Sequence, residues 1–212
     1  MTAPQHSPDL PHSLDPLESA LAGFAPAIRP PALDRLAGDL RYVVADTAVG
    51  RLLLTAHTDG RLLTCLYAPD DEQVDAALDR VARQVSPSVL RGGPGLDDVR
   101  RQLDEYLAGR RQRFDTPVDL ALATPFQREV LGRLAETVPY GRTVSYGGIA
   151  RAIGRPAASR AVGGALNHNP LCVVVPCHRV VASSGALTGY AGGIDAKRHL
   201  LALEAAGTLD LH

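Results

Sequence analysis

A thiol and an imidazole stand side by side at Cys177 and His178, directly after Pro176. A cysteine becomes a strong nucleophile as the thiolate, and a histidine, which titrates near neutral pH, can take the thiol proton. Adjacent side chains of a strand point to opposite faces, so contact between these two needs a turn or one bridging water. Such a base usually needs an orienting carboxylate, and the downstream candidates are Asp195 and Glu204.

The backbone before the cysteine is predicted to present it at a turn. Val173 to Val175 are β-branched and favour an extended, buried segment. Pro176 has no N–H, fixes its own φ and moves Val175 away from the α region, so the chain should turn near Cys177. A cysteine among valines is more often an inert buried thiol, and the histidine could simply cap a turn. These two residues alone favour that inert alternative.

A longer pattern, running from residue 124 to residue 207, points the other way. Its motifs are Thr124-Pro125-Phe126-Gln127, Val138-Pro139-Tyr140-Gly141, Ser145-Tyr146-Gly147, Arg160-Ala161-Val162-Gly163, Asn169-Pro170, Pro176-Cys177-His178-Arg179-Val180, Gly189-Tyr190-Ala191-Gly192-Gly193, Lys197 and Leu200-Leu201-Ala202-Leu203-Glu204. In this order the motifs resemble the O6-alkylguanine-DNA alkyltransferases, the suicidal DNA-repair methyltransferases. The resemblance is dense in this region and loose in the front half.

The resemblance implies a single irreversible reaction for each molecule. Cys177 would accept the alkyl group of O6-alkylguanine in DNA, with O4-alkylthymine as a second candidate substrate, and the product would be a thioether that water does not cleave. His178 would take the thiol proton through a water, and Glu204 would orient the imidazole. Asn169 would support the turn, and Tyr146 would stabilise the leaving guanine. No metal and no soluble cofactor are expected.

The resemblance also implies a DNA-binding surface and a substrate pocket. Arg160 corresponds to the arginine finger that fills the stack when the base is extruded, and Tyr146 to the tyrosine that pushes the target phosphate. The other residues expected at the DNA are Ser145, Arg155, Ala158 and Ser159. The residues expected at the pocket are Cys172, Val180, Thr188, Tyr190, Ala191, Gly192 and Lys197. Without the resemblance, core packing would explain Tyr146 and Tyr190, and a phosphate contact would explain Arg160.

Two short helices with a glycine-containing turn are expected to carry this surface. Ser145 can cap a helix that ends near Ile153, Gly154-Arg155-Pro156 breaks it, and a second helix should run from about Ala157 to Asn167. The pair is a helix-turn-helix candidate, which is a weak signal by itself. The second helix is rich in alanine and glycine, so another surface can approach its backbone closely. The resemblance implies that this helix lies in the minor groove of double-stranded DNA.

The front half has the periodicity of strands. Short runs rich in Val, Leu, Tyr and Thr predict three strands, with Asp59-Gly60 as a hairpin turn, and two amphipathic helices should follow at Asp70 to Gln84 and Leu96 to Ala108. The predicted fold is therefore α/β (α+β). It comprises a small N-terminal sheet-and-helix domain over residues 39–115 and a mainly helical C-terminal domain with the helix-turn-helix over residues 120–212. Residues 1–38 are predicted to be a disordered, proline-rich extension.

Composition limits the setting in which this chemistry would take place. The 212 residues are 45% hydrophobic and 21% charged, as in a globular protein, and no apolar run approaches the ~18 residues of a membrane span. The first residues lack the basic and apolar blocks of a signal peptide. Three cysteines form no spaced framework, which favours a reducing cytoplasm. We expect a cytoplasmic monomer with no membrane partner.

The charge is divided unevenly along the chain. Residues 121–200 contain nine Arg or Lys and three acids, or +6, whereas the whole chain carries −1, so the remainder carries −7. A basic half beside an acidic half suggests that only the C-terminal part meets a polyanion such as DNA. Part of this charge can equally be ordinary solvated surface, which is the interpretation preferred for Arg133 and Arg151.

Several functions remain open at this point. They are a repair alkyltransferase, a non-catalytic lesion binder like the alkyltransferase-like proteins, a helix-turn-helix regulator of undamaged DNA, and a cysteine hydrolase with many turnovers. Cys177 counts against the lesion binder, which carries another residue there. Leu131 and His199 stand where many relatives have tryptophan and are predicted to be packing positions. Ala191 is a serine in some relatives, and the zinc ligands of certain members have no counterpart here.

Overall fold

A computed structural model describes residues 40–93 and 95–209, without the side chains of residues 208 and 209. The disorder predicted for residues 1–38 lies outside the described residues. The elements of the front half are β1 (Leu40–Thr47), β2 (Gly50–His57), β3 (Leu62–Tyr67), α1 (Asp71–Gln84), β4 (Val89–Arg91) and α2 (Asp97–Leu107). Those of the second half are α3 (Pro125–Thr137), β5 (Val144–Ser145), α4 (Tyr146–Ala152), α5 (Ser159–Asn167), a 3-10 turn (Cys177–Arg179), β6 (Val180–Val181) and α6 (Gly193–Leu209). The predicted α/β class is confirmed.

The front half is a four-stranded sheet in the order β3-β2-β1-β4, with β4 parallel to β1 and the other pairs antiparallel. The central strand β2 is buried on both faces, which explains its nearly continuous apolar run. On one face Leu53 packs with Val74 of α1. On the other face Leu52 and Leu54 belong to the main core, which continues into the second half of the chain. The described residues from 40 to 209 accordingly belong to one compact unit.

Local sequence signals account for two of the observed boundaries. Thr124 accepts a hydrogen bond from the backbone of Gln127, whose side chain bonds back to Thr124, and Pro125 occupies the first turn of α3. The Asp59-Gly60 turn between β2 and β3 also forms, with Gly60 at φ 89° and its N–H donating to the carbonyl of His57 at 2.9 Å. The predicted hairpin turn is confirmed, and the cap at Thr124 fixes the start of α3.

The extended segment predicted at Val173 to Val175 is wrong. Val173 has φ 70°, which is unusual for a β-branched residue. The chain curls here, because the N–H of Val175 donates to the carbonyl of Leu171 and that of Val174 to the carbonyl of Cys172, both at 2.8 Å. Strain of this kind persists only where surrounding contacts impose it. The turn predicted near Cys177 does form.

Other expectations need smaller corrections. The second helix of the helix-turn-helix pair, α5, begins at Ser159 instead of Ala157. Leu131 is fully buried, as predicted, whereas His199 is exposed, so the prediction that it packs is wrong. Within residues 40–93 and 95–209, no helix has both the length and the apolar character needed to cross a bilayer.

Candidate active site

Asn169 holds the loop that carries the candidate nucleophile. Its side-chain amide donates to the carbonyl of Val175 at 3.0 Å and to Sγ of Cys177 at 3.2 Å, and its Oδ1 accepts the N–H of Leu171 at 2.9 Å. These three bonds replace strand pairing as partners for the curled backbone, which is the local reason why the valines do not extend. Cys177 then begins the 3-10 turn with only 6% of its surface exposed.

The pKa of the Cys177 thiol is lower than its ordinary value. A hydrogen bond with the thiol of Cys172 is the largest cause, burial opposes it, and the amide of Asn169 and the charge of Lys197 lower the pKa further. The pKa of Cys172 is raised by the same hydrogen bond and by burial. Of these two thiols, Cys177 ionises the more readily, and a thiolate is the nucleophilic form.

The carboxylate partner of His178 is Glu204. Their Nε2 and Oε1 atoms are 2.7 Å apart, and both side chains are fully buried. Asp195, the other candidate, is exposed and pairs with Arg198. Because Nε2–H donates to Glu204, the lone pair of His178 lies on Nδ1, a buried atom with no hydrogen-bond partner among the described residues. Burial lowers the pKa of His178, so the imidazole is neutral near pH 7.

Glu204 is the centre of a larger hydrogen-bonded cluster. Its carboxylate accepts Nε of Arg179 at 3.0 and 3.1 Å, the N–H of Gly141 at 3.0 Å, and the hydroxyl of Tyr106. Burial acts to raise the pKa of Glu204, but the hydrogen bonds and charges of His178 and Arg179 outweigh burial and hold this pKa at about 2. The carboxylate is therefore ionised throughout the physiological range and keeps one tautomer of the imidazole.

Cys177 opens onto a pocket of about 550 Å³. The pocket lies between α5 and the loop that precedes α6. It is lined by Tyr146, Ser159, Arg160, Gly163, Gly164, Leu166, Asn167, Cys177, Ala182, Thr188, Gly189, Tyr190 and Ala191. Within it the hydroxyls of Tyr146 and Thr188 are 2.9 Å apart. A volume of this size accommodates a flat heterocycle beside the sulfur.

The exposed side of α5 is nearly free of bulk apart from Arg160. Ala161, Gly164 and Asn167 are exposed with it, while Gly163 faces inward, where a Cβ would lie 3.7 Å from the ring of Tyr146. Small side chains let another backbone approach closely. Arg160 has no ion-pair partner within the part of the chain that the structure describes. The helix therefore presents one unpaired cation at the mouth of the pocket.

Comparison with known proteins identifies this arrangement. Residues 40–120 match the ribonuclease-like domain, and residues 125–206 the DNA-binding domain, of 6-O-methylguanine DNA methyltransferase. The Methylated-DNA--protein-cysteine methyltransferase of Mycobacterium tuberculosis is 42% identical over 169 residues, which are 78% of this chain and 92% of that protein. The chain belongs to the 6-O-methylguanine DNA methyltransferase family.

Further relatives of this methyltransferase family agree over the same span. The constitutive enzyme of Bacillus subtilis is 39% identical over 164 residues, covering 77% of this chain and 94% of that protein. A crystal structure of Mycobacterium tuberculosis OGT in complex with DNA superimposes with a TM-score of 0.65 at 40% identity, over 79% of this chain and 94% of that one. The enzyme of Pyrococcus kodakaraensis gives 0.58 at 27% identity, over 78% and 98%.

Four residues predicted to line the methyltransferase pocket lie outside its lining. Cys172, Val180 and Lys197 are fully buried behind it, and Gly192 packs against another part of the chain. Nζ of Lys197 donates to the carbonyls of Val180 and Thr188 at 2.6 and 2.9 Å. Its role is to support the pocket loop from behind. The predicted positions of Thr188, Tyr190 and Ala191 in the lining agree with the structure.

The residues expected to contact DNA lie in different parts of the structure, and not all of them line the pocket. Ser159 lines the pocket beside Arg160, and Ala158 precedes it at the start of α5. Ser145 caps α4 by accepting the N–H of Gly148 at 3.0 Å. Arg155 is an ion-pair partner of Glu129 at 3.0 Å and stacks over a phenylalanine ring, so its charge is partly engaged within the chain.

Fewer cations of the basic half are available to bind a polyanion than its composition suggests. Two of its nine cations, Arg179 and Lys197, are buried and cannot reach a polyanion. Arg133 and Arg198 pair with acids of their own helices. Among the described residues, no group of three or more His, Cys, Asp or Glu is arranged to hold a metal ion.

Sequence reasoning missed two members of the family's acceptor site. Tyr106 lies on the apolar stripe of α2 in the front half, where it reads as core, yet its hydroxyl reaches Glu204. Arg179 counts as one basic residue of an active-site motif, yet its Nη1 donates to the carbonyl of Val138 at 2.8 Å and its Nε holds Glu204. The signal available for Arg179 is its place next to His178. Tyr106 offers none.

Proposed function

We propose that this protein repairs DNA by transferring the alkyl group of O6-alkylguanine to its own Cys177, once per molecule. The observation that carries this proposal is a thiol of lowered pKa that opens onto a 550 Å³ pocket, beside a buried His178–Glu204 pair. The names of the relatives, Methylated-DNA--protein-cysteine methyltransferase, support the same reaction.

The proton of the Cys177 thiol passes, through a water, to Nδ1 of His178. This nitrogen carries the lone pair because Nε2–H is committed to Glu204. The sulfur electron pair then forms a bond to the alkyl carbon in line with guanine O6, and the C–O bond breaks with its electrons going to the guanine. Water does not hydrolyse the resulting thioether, so no second turnover follows.

Tyr146 and Thr188 supply the polar groups on the side of the leaving base. Their hydroxyls are hydrogen-bonded to one another at 2.9 Å within the pocket, so one of them has a proton to offer the guanine as charge builds on it.

Double-stranded DNA is the partner, and we propose that α5 enters its minor groove. The exposed face of α5 carries Ala161 and Gly164 beside Arg160, which suits a narrow groove. Extrusion of the lesion leaves a hole in the stack, and in this proposal Arg160 fills it; its position in the lining of the pocket supports that role. All groups of the site come from one chain, which supports action as a monomer. Three free thiols favour a reducing cytoplasm.

Methyl acceptance tests the proposal directly. The protein is mixed with excess duplex bearing one O6-methylguanine and then digested, and the masses of its peptides are measured by mass spectrometry. We expect one methyl group per protein molecule, on the peptide that contains Cys177, and unmodified guanine in the DNA. Binding of the lesion duplex with no transfer at full dose would instead indicate a non-catalytic binder, and repeated turnover would indicate a hydrolase.

Arg160→Ala is expected to slow repair of duplex far more than reaction with free O6-benzylguanine. Without the side chain that fills the hole in the stack, the cost of extruding the base, about a few kcal/mol, is not offset, so the rate of duplex repair should fall by about 10²-fold. The free base needs no extrusion. Arg133→Ala, an exposed arginine of α3 paired with Glu136, serves as the matched control and should change neither rate by more than about twofold. Equal losses with both substrates would contradict a role in base extrusion.

A further inference from the structure

Tyr67, at the end of β3 in the front half, lies against the wall of the alkyl-acceptor pocket without lining it. Its ring meets that of Tyr190 edge-on, with centroids 5.5 Å apart and an interplanar angle of 74°. The two hydroxyls are 3.4 Å apart. Tyr190 does line the pocket, and its ring also stands edge-on to His178 at 6.3 Å. The sheet of the front half therefore touches the wall that faces the nucleophile.

Two glycines fix the position of the Tyr67 ring. A Cβ at Gly192 would lie 2.3 to 2.7 Å from the far atoms of the ring, Cζ and both Cε atoms, which is closer than any real contact. A Cβ at Gly50, which has φ 119°, would lie 3.6 Å from the ring. Backbone therefore packs directly on the ring in the segment that follows Ala191. Neither the ring nor that segment can shift without the other.

We propose that Tyr67 is a positioning residue that limits the size of the alkyl group that the pocket accepts. This inference rests on the proposed function. The ring acts through Gly192 and Tyr190: it supports the segment from behind and keeps the tyrosine wall at its present distance from Cys177. A methyl group is smaller than this limit, whereas a benzyl group fits only if the tyrosine wall moves. The front half, which does not carry the acceptor cysteine, would thus set part of the substrate range.

Tyr67→Leu tests the proposal, because leucine lacks the Cζ and Cε atoms against which Gly192 packs. Single-turnover rates are measured with two duplexes of identical sequence, one bearing O6-methylguanine and one O6-benzylguanine. DNA binding cancels in the ratio of the two rates. We expect the benzyl-to-methyl ratio to rise about tenfold, as for a change of a few methylenes in an apolar pocket. A destabilised fold would lower both rates together and leave the ratio unchanged, which would overturn the proposal.

Two matched variants separate the ring from its surroundings. Tyr67→Phe keeps Cζ and both Cε atoms and loses only the long hydroxyl contact, so its ratio should stay within about twofold of the wild-type value. Tyr42→Leu changes a tyrosine of β1 that packs with Leu53 and Val74 on the opposite face of the sheet, and its ratio should also stay unchanged. A rise in the Tyr42 variant equal to that in Tyr67→Leu would show a general loosening and defeat the assignment.

A second substitution checks the contact from the other side. Gly192→Ala should press the segment away from Tyr67 and into the pocket, lowering the benzyl rate more than the methyl rate. In the Tyr67→Leu background the added methyl has room, so this selective loss should vanish. The same selective loss in both backgrounds would contradict the proposal. A wild-type protein that accepts neither alkyl group would instead refute the proposed function, so the two failures can be told apart.

Discussion

Cys177→Ser is expected to abolish methyl acceptance, with a loss of at least about 10³-fold, because a serine hydroxyl is not ionised near neutral pH and is a far weaker nucleophile than a thiolate. The hydroxyl can still accept the amide of Asn169, so the loop should keep its shape and lesion duplex should still bind. Transfer is measured as labelled methyl bound to protein, and binding as the mobility shift of lesion duplex.

Cys172→Ala is the control for this experiment. Both cysteines are buried and both contact Asn169, but only Cys177 lines the pocket. The Cys172 variant should still take up one full equivalent of methyl. It should do so more slowly near neutral pH, because the hydrogen bond that lowers the pKa of Cys177 is lost. If the Cys172 variant lost methyl acceptance and Cys177→Ser kept it, the acceptor would be Cys172 and the assignment of Cys177 would be wrong.

Glu204→Gln should lower both stability and rate. The carboxylate is fully buried and holds His178 and Arg179, so its removal leaves Arg179 as an uncompensated buried charge, at a cost of about 3–5 kcal/mol in the free energy of unfolding. The base also loses the partner that fixes its tautomer, and general-base contributions are about 10²–10⁴-fold in rate. Glu136→Gln removes a surface carboxylate instead and should cost at most about 1 kcal/mol. Urea unfolding and single-turnover transfer measure the two effects.

The same variant should change the acid limb of the stability profile. The pKa of Glu204 is about 2 in the folded protein, below its ordinary value of 4.5. A carboxyl with a lowered pKa stabilises the fold above its unfolded pKa, and this stabilisation is lost as pH falls from 4.5 towards 2. The difference corresponds to about 3 kcal/mol. We expect wild-type stability to lose this amount in that window, and the Gln variant to show a shallower fall there. Parallel curves would contradict the assigned role.

Residues close together in sequence were the predictable part of the site. Asn169, Cys177 and His178 are neighbours along a short loop, and the family motif at the end of the chain supplied Glu204. The motif did not tell which face of each segment meets the pocket, so Cys172 and Lys197 were placed in it although they lie behind it.

What could not be predicted depends on packing between distant segments. Tyr106 reaches Glu204 across 98 positions, and Tyr67 reaches Tyr190 across 123, so no local pattern marks either tyrosine as part of a site. The curl at Val173 was missed for a related reason. β-branched residues favour extension, but the side chain of Asn169 offers the backbone better partners in a turn.

The contacts of Tyr106 and Tyr67 with the acceptor site bear on how relatives of this protein can be recombined. A chimaera that joined the front half of one member to the back half of another would inherit one side of each contact from each parent. Its chemistry would then depend on two contacts. The foreign helix would have to place a tyrosine hydroxyl at Glu204, and the foreign sheet would have to place an aromatic ring against Gly192. Exchange of the two halves is therefore an alteration of the reaction centre itself.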